Sequence, residues 1–62
     1  MTPRELAVLR LASFGMPFKE IAAHLELGEE TVRTHIKKAQ TKLKASNRTQ
    51  AVAEAIRQQL LV

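Results

Sequence analysis

Six of the ten basic residues of this 62-residue chain, Arg33, Lys37, Lys38, Lys42, Lys44 and Arg48, fall in residues 31–48, TVRTHIKKAQTKLKASNR, and none of its six acids does. Guanidinium and ammonium groups interleaved with threonine hydroxyls can donate hydrogen bonds to anionic oxygens and to the acceptor edges of bases. The segment carries +6 against a net charge of +4, so the remaining residues sum to −2. Charge confined in this way marks a binding face for something negative rather than a device for solubility.

Other chemistries lack their side chains. His24 and His35 are the only histidines and the chain contains neither cysteine nor aspartate, so no metal centre is expected. His24 belongs on the surface of its helix; His35 borders the core, packed there or near a phosphate. Ser13 and Ser46 have no Asp or Cys to complete a nucleophile–base arrangement. Glu29 and Glu30 are neighbours that project about 100° apart on a helix, which suits first-turn acids and not a catalytic pair. Neither enzymatic activity nor a cofactor is expected. Trp and Tyr are absent, and Phe14 and Phe18 lie outside the basic segment. Modules for single strands and RNA stack bases on aromatic rings, so the composition favours a duplex.

The elements that must position these groups follow from turn signals and helical periodicity. Thr2-Pro3-Arg4-Glu5 is a start signal, with Thr2 as cap, Pro3 at the first helical position and Glu5 able to bond back. Val8, Leu9 and Ala12 then share a stripe with Leu11 at its edge, and Gly15 supplies the stop. Phe18, Ile21, Ala22 and Leu25 have the spacing of a short buried helix. Gly28 can cap a third helix over residues 29–43, with Glu29 and Glu30 in its first turn and Lys42 and Lys44 at its end, as the macrodipole favours. Asn47 and Gln50 form a capping-box-like pair before a fourth helix that runs to near the C-terminus. Nothing alternates as a strand would, so the chain is expected to be all-α, one domain over residues 1–62 with four helices.

On the third helix Val32, Ile36, Ala39 and Leu43 fall within a narrow arc suited to burial, and Glu30, Arg33, Thr34, Lys37 and Thr41 occupy the opposite arc. Thr31, His35, Lys38 and Lys42 lie to one side. An α-helix of this kind fits the major groove, where Arg and Lys donate to guanine and a threonine methyl touches thymine. Preceded by a short helix and a tight turn, it forms a helix-turn-helix. On the fourth helix Ala51, Val52 and Ala55 are expected in the core.

TPRELAVLRLASFG, KEIAAHL, TVRTHIKKAQTKL and NRTQAVAEAI, in that order and spacing, resemble the LuxR/GerE-type helix-turn-helix domain of bacterial transcription regulators. The resemblance spans nearly the whole chain. It implies sequence-specific binding of double-stranded DNA as a dimer, with the third helix in the major groove. The base-reading positions correspond to Arg33, Thr34 and Lys37. The phosphate-binding positions correspond to Lys19, Thr31, His35, Lys38, Lys42 and Arg48, the last with a structural role as well. The resemblance also implies a homodimer formed through the fourth helix, on Ala53, Ile56, Arg57 and Leu60. It further implies an inverted-repeat site, contact with RNA polymerase, and a place in the bacterial cytoplasm at the nucleoid. Three positions depart from the family. Pro17 stands where a Ser or Thr cap is common, and Glu26 and Lys44 stand where glycine is common, which calls for adjusted turns or a left-handed non-glycine residue.

MTPRELAVLR lacks the apolar run of a signal peptide or membrane span, so a soluble, intracellular protein without membrane contact is expected. A chain of this length, without disulfides, is near the lower size limit for unaided folding, and no large internal pocket is expected. Its start at a capping motif fits both a whole short protein and the C-terminal piece of a longer regulator. Leu6 and Phe14, if exposed, are candidates for contact with such a missing domain. A helical module whose basic face meets an acidic partner protein shares these features but would not prefer one duplex over another.

Overall fold

Each helix begins where its sequence offers a start signal. In the computed structural model, which describes residues 1–61, Thr2 and Glu5 exchange the two bonds of a capping box. The Glu5 amide donates to Thr2 Oγ1 at 3.2 Å, and the Thr2 amide donates to Glu5 Oε1 at 3.1 Å. Helix α1 (Pro3–Ser13) follows. Helix α2 (Phe18–Leu25) starts after Pro17 and α3 (Glu29–Lys42) after Gly28, both in extended conformation and neither with a side-chain cap. Asn47 opens α4 (Arg48–Arg57) by accepting from the Gln50 amide at 2.8 Å. The Gln50 side chain bonds back to the Ser46 amide, one residue earlier than a capping box requires. Among the described residues there is no strand, and the fold is all-α as expected.

The helices end by one device used three times. Glu26, Lys44 and Gln59 adopt left-handed φ values of 57°, 55° and 61°. The next residue in each case, Leu27, Ala45 or Leu60, donates its amide at 2.8 Å to the carbonyl five positions back, on Ala22, Gln40 or Ala55. That bond and the accompanying apolar contact are the Schellman termination. Leu27, Ala45 and Leu60 all pack against the core. Only after α1 does glycine supply the left-handed residue, at Gly15 with φ 83°. The fourth helix is therefore shorter than its periodicity suggests. It stops at Arg57, Leu60 turns back onto the core, and Val62 lies outside the described residues.

Every helix contributes to one core, and α3 packs against each of the other three. Val8 and Leu9 from α1, Ile21 from α2, and Val32 and Ile36 from α3 are its largest fully enclosed side chains. The predicted arc of α3 is the buried one, with Val32, Ile36, Ala39 and Leu43 all enclosed. Ala51 and Ala55 seat α4 while Val52 is half-buried. Leu61 adds a last core side chain beyond α4. No helix is long and apolar enough to cross a membrane among the described residues.

A left-handed backbone costs a side-chain-bearing residue about 1–2 kcal/mol, part of which glycine gives back through its freer unfolded chain. Glu26→Gly is accordingly expected to raise stability by about 0.5–1 kcal/mol in urea unfolding. A lower midpoint would show that the Glu26 turn carries no strain.

Candidate nucleic-acid interface

The amphipathic division of α3 decides what the domain shows to solvent. With Val32, Ile36 and Ala39 turned inward, Thr31, Thr34, Lys37, Lys38, Thr41 and Lys42 are left exposed, and Arg33 and His35 are half-buried at the margins. Lys37, Lys38, Thr41 and Lys42 line one shallow groove of about 280 Å³. The Thr41 hydroxyl donates to the Lys37 carbonyl at 3.1 Å, so its methyl is the group free to meet an apolar partner. Thr34 and Lys37 both stand open on the exposed face.

Arg33 is held at the edge of that face by two neighbours. Its Nη1 lies 3.4 Å from Glu30 Oε1, one turn earlier, and its guanidinium is 5.7 Å from the centroid of Phe18. Arg48, at the start of α4, comes to the same ring at 5.0 Å and donates from Nη2 to the Met16 carbonyl at 2.9 Å. This bond ties α4 to the loop before α2, the structural role anticipated for Arg48. Lys19 is exposed in the first turn of α2, whose Pro17 cap provides no side-chain acceptor for the leading amides. Orphan amides and a nearby ammonium group suit a phosphate. His35 is half-buried with Nδ1 enclosed and unbonded, which leaves only Nε2 to face outward. His24 is exposed, as expected.

Lys42 is already engaged. Its Nζ lies 2.8 Å from Glu5 Oε1, and Glu5 is 97% enclosed. The bond to Lys42 is the main reason the Glu5 carboxyl titrates below its ordinary value of 4.5; burial opposes it, and the Thr2 amide assists. Sequence reasoning found Glu5 as a capping residue but not as a buried charge, because its counter-ion lies 37 positions away. Phe18 was assigned to the core alone, and its contact with two cations depends on how α2, α3 and α4 come together. On α4, Ala53, Ile56 and Arg57 are exposed, and Arg57 pairs with Glu54 at 3.1 Å. Leu60 does not join them, since it lies past the helix end and half-buried on the core. Leu6 is half-buried, while Phe14 is among the most exposed large apolar residues. Among the described residues no three His or Glu side chains gather as metal ligands would.

Two helices joined by a tight turn, the second with an enclosed apolar seam and an open cationic side, define a helix-turn-helix DNA-binding domain. The sequence profile of the bacterial regulatory proteins of the luxR family, GerE, matches residues 1–55. The chain belongs to that family. It is 50% identical over 52 residues to the response regulator RamR of Streptomyces coelicolor, covering 84% of this chain and 26% of that protein. It is 43% identical over 61 residues to the probable transcriptional regulatory protein NarL of Mycobacterium tuberculosis, covering 98% of this chain and 28% of that one. With the HTH-type transcriptional regulator AlkS of Alcanivorax borkumensis the identity is 44% over 55 residues, 89% of this chain and 6% of the relative. The chain thus spans no more than 28% of the length of these relatives.

The Glu5–Lys42 pair can be tested by stability. Because the folded-state pKa of Glu5 is lowered, its contribution is present above the unfolded value and is lost as pH falls through the folded one. Lys42→Met should therefore cost about 1–2 kcal/mol near neutral pH, discounted for the half-exposed ammonium. The gap from the unaltered chain should close in acid below the ordinary carboxylate range. A constant gap in urea melts at both pH values would assign the loss to packing instead.

Proposed function

We propose that this domain binds double-stranded DNA sequence-specifically as a homodimer and thereby regulates bacterial transcription, with α3 lying in the major groove. The observation that carries this reading is the open side of α3, where Thr34 and Lys37 are unobstructed and Arg33 stands at the margin. These three read base edges: Arg33 and Lys37 donate to guanine acceptors, and the Thr34 methyl meets thymine. Lys19, Thr31, His35 and Lys38 contact phosphates and fix the register. Lys42 and Arg48 join them with the donors that Glu5 and the Met16 carbonyl leave over.

Dimerisation uses the exposed part of α4, Ala53, Ile56 and Arg57, with Leu60 contributing at its edge. Ile56 is 53% exposed, a large apolar side chain with an unused surface. A twofold axis through this contact would set the two recognition helices about one DNA turn, roughly 34 Å, apart on an inverted repeat. Such a dimer acts in the cytoplasm at the nucleoid, with RNA polymerase as the machinery it influences. The named relatives are regulators, one of them a response regulator, which supports the assignment to transcription control.

Selection of bound sequences from a random duplex pool tests the reading in one experiment. An enriched inverted repeat with half-sites one turn apart is expected, and a pool that stays random would overturn it. On the selected site Lys37→Ala should weaken binding by about 1–3 kcal/mol and relax the preference at one base pair. Equal losses on selected and scrambled duplexes would remove Lys37 from base reading. Lys38→Ala should instead weaken both alike and lower the salt dependence by roughly one phosphate contact.

A further inference from the structure

Phe18 occupies the first position of α2 and lies outside the basic segment, yet its ring meets two of that segment's guanidinium groups. Both distances, 5.0 Å to Arg48 and 5.7 Å to Arg33, fall in the range of cation–π attraction. The ring is fixed from behind because Phe18 packs on the core, and Arg48 beside it is anchored to the Met16 carbonyl. The other partner of Arg33 offers less. Glu30 is 89% exposed and its bond is 3.4 Å long, the kind of surface pair that holds a side chain weakly. A long side chain that swings freely loses rotamer entropy on reaching a base edge, and one already resting against a fixed surface loses less.

We propose that Phe18 is a specificity-determining positioning residue, whose ring holds the Arg33 guanidinium at the margin of α3 in readiness for a base. The inference rests on the base-reading role given to Arg33 above. Phe18 acts through Arg33, and Arg48 keeps the ring in place. Part of the sequence preference of the domain is therefore set by α2 and α4, outside the recognition helix. A ring that served the core alone would affect folding, and its loss would weaken binding to every duplex alike, whether or not Arg33 were present.

The test compares affinities for the selected duplex and a scrambled one at fixed salt, for the unaltered chain, Phe18→Leu, Phe18→Tyr, Arg33→Ala and the Phe18→Leu/Arg33→Ala pair. Phe18→Leu should lower the selected-to-scrambled ratio about two- to fivefold, the scale of one exposed cation–π contact. Phe18→Tyr, which retains the ring, should restore the ratio, and Phe18→Leu should cause no further loss once Arg33 is alanine. Equal weakening on both duplexes, or the same loss with and without Arg33, would overturn the inference. Thermal melts check that the leucine variant is folded at the assay temperature; if it is not, Phe18→Met is held to the same outcomes. Absence of any preference in the unaltered chain would instead overturn base reading itself, and that result involves no Phe18 variant.

Discussion

The burial of one seam of α3 orients everything else. Val32, Ile36, Ala39 and Leu43 are enclosed by the other helices, and α3 packs on all three of them. A helix rotated by one residue, about 100°, would bring Arg33 or Lys37 into that seam, where an unpaired charge costs several kcal/mol. Hydrophobic burial and charge desolvation thus agree on a single rotation of the helix about its axis. The direction in which Thr34 and Lys37 point is a consequence of the core, not of any contact they make themselves.

A chain this small has few apolar groups with which to enforce that arrangement. It compensates by drawing the helix ends into the core. Leu27, Ala45 and Leu60 follow left-handed residues and fold back over the last turns of α2, α3 and α4, so each termination is also a packing contact. The two polar links between distant parts of the chain work at the same junctions. Glu5 joins the start of α1 to the last residue of α3, and Arg48 joins the start of α4 to the loop before α2. Both links use cations of the basic segment, so residues that look like free positive charge in the sequence are partly engaged in holding the helices together.

That overlap explains which features were legible beforehand. Helix starts, the buried arc of α3 and the exposure of Thr34 and Lys37 follow from local pattern, since each depends on residues within a few turns of one another. At Glu26 and Lys44 the resemblance left two alternatives, an adjusted turn or a left-handed residue, and the backbone takes the second. The burial of Glu5 was not legible, nor was the meeting of Phe18 with Arg33 and Arg48, because both depend on packing between separate helices. The end of α4 before Leu60 was not legible for a different reason. Helical periodicity continues through Gln58 and Gln59 in the sequence, whereas the amide of Leu60 and its apolar side chain together favour termination.

Crowding six cations into residues 31–48 also has a cost that the fold must offset. Like charges a few ångströms apart repel, and only near counter-charges or polarisable surfaces relieve them. Glu5 relieves Lys42, Glu30 relieves Arg33, and the Phe18 ring lies against both Arg33 and Arg48. Among the described residues Lys37, Lys38 and Lys44 have no side-chain partner of this kind. The cations therefore divide into a restrained set beside the helix junctions and an open set, Lys37 and Lys38 on α3 and Lys44 just past its end. A polyanion laid along α3 would supply the counter-charge missing from the second set, while the first already has part of its own from internal contacts. Arg33, Lys42 and Arg48 thus belong both to the cationic face and to the contacts that hold the helices together, which is how so short a chain can concentrate positive charge on one side and remain folded.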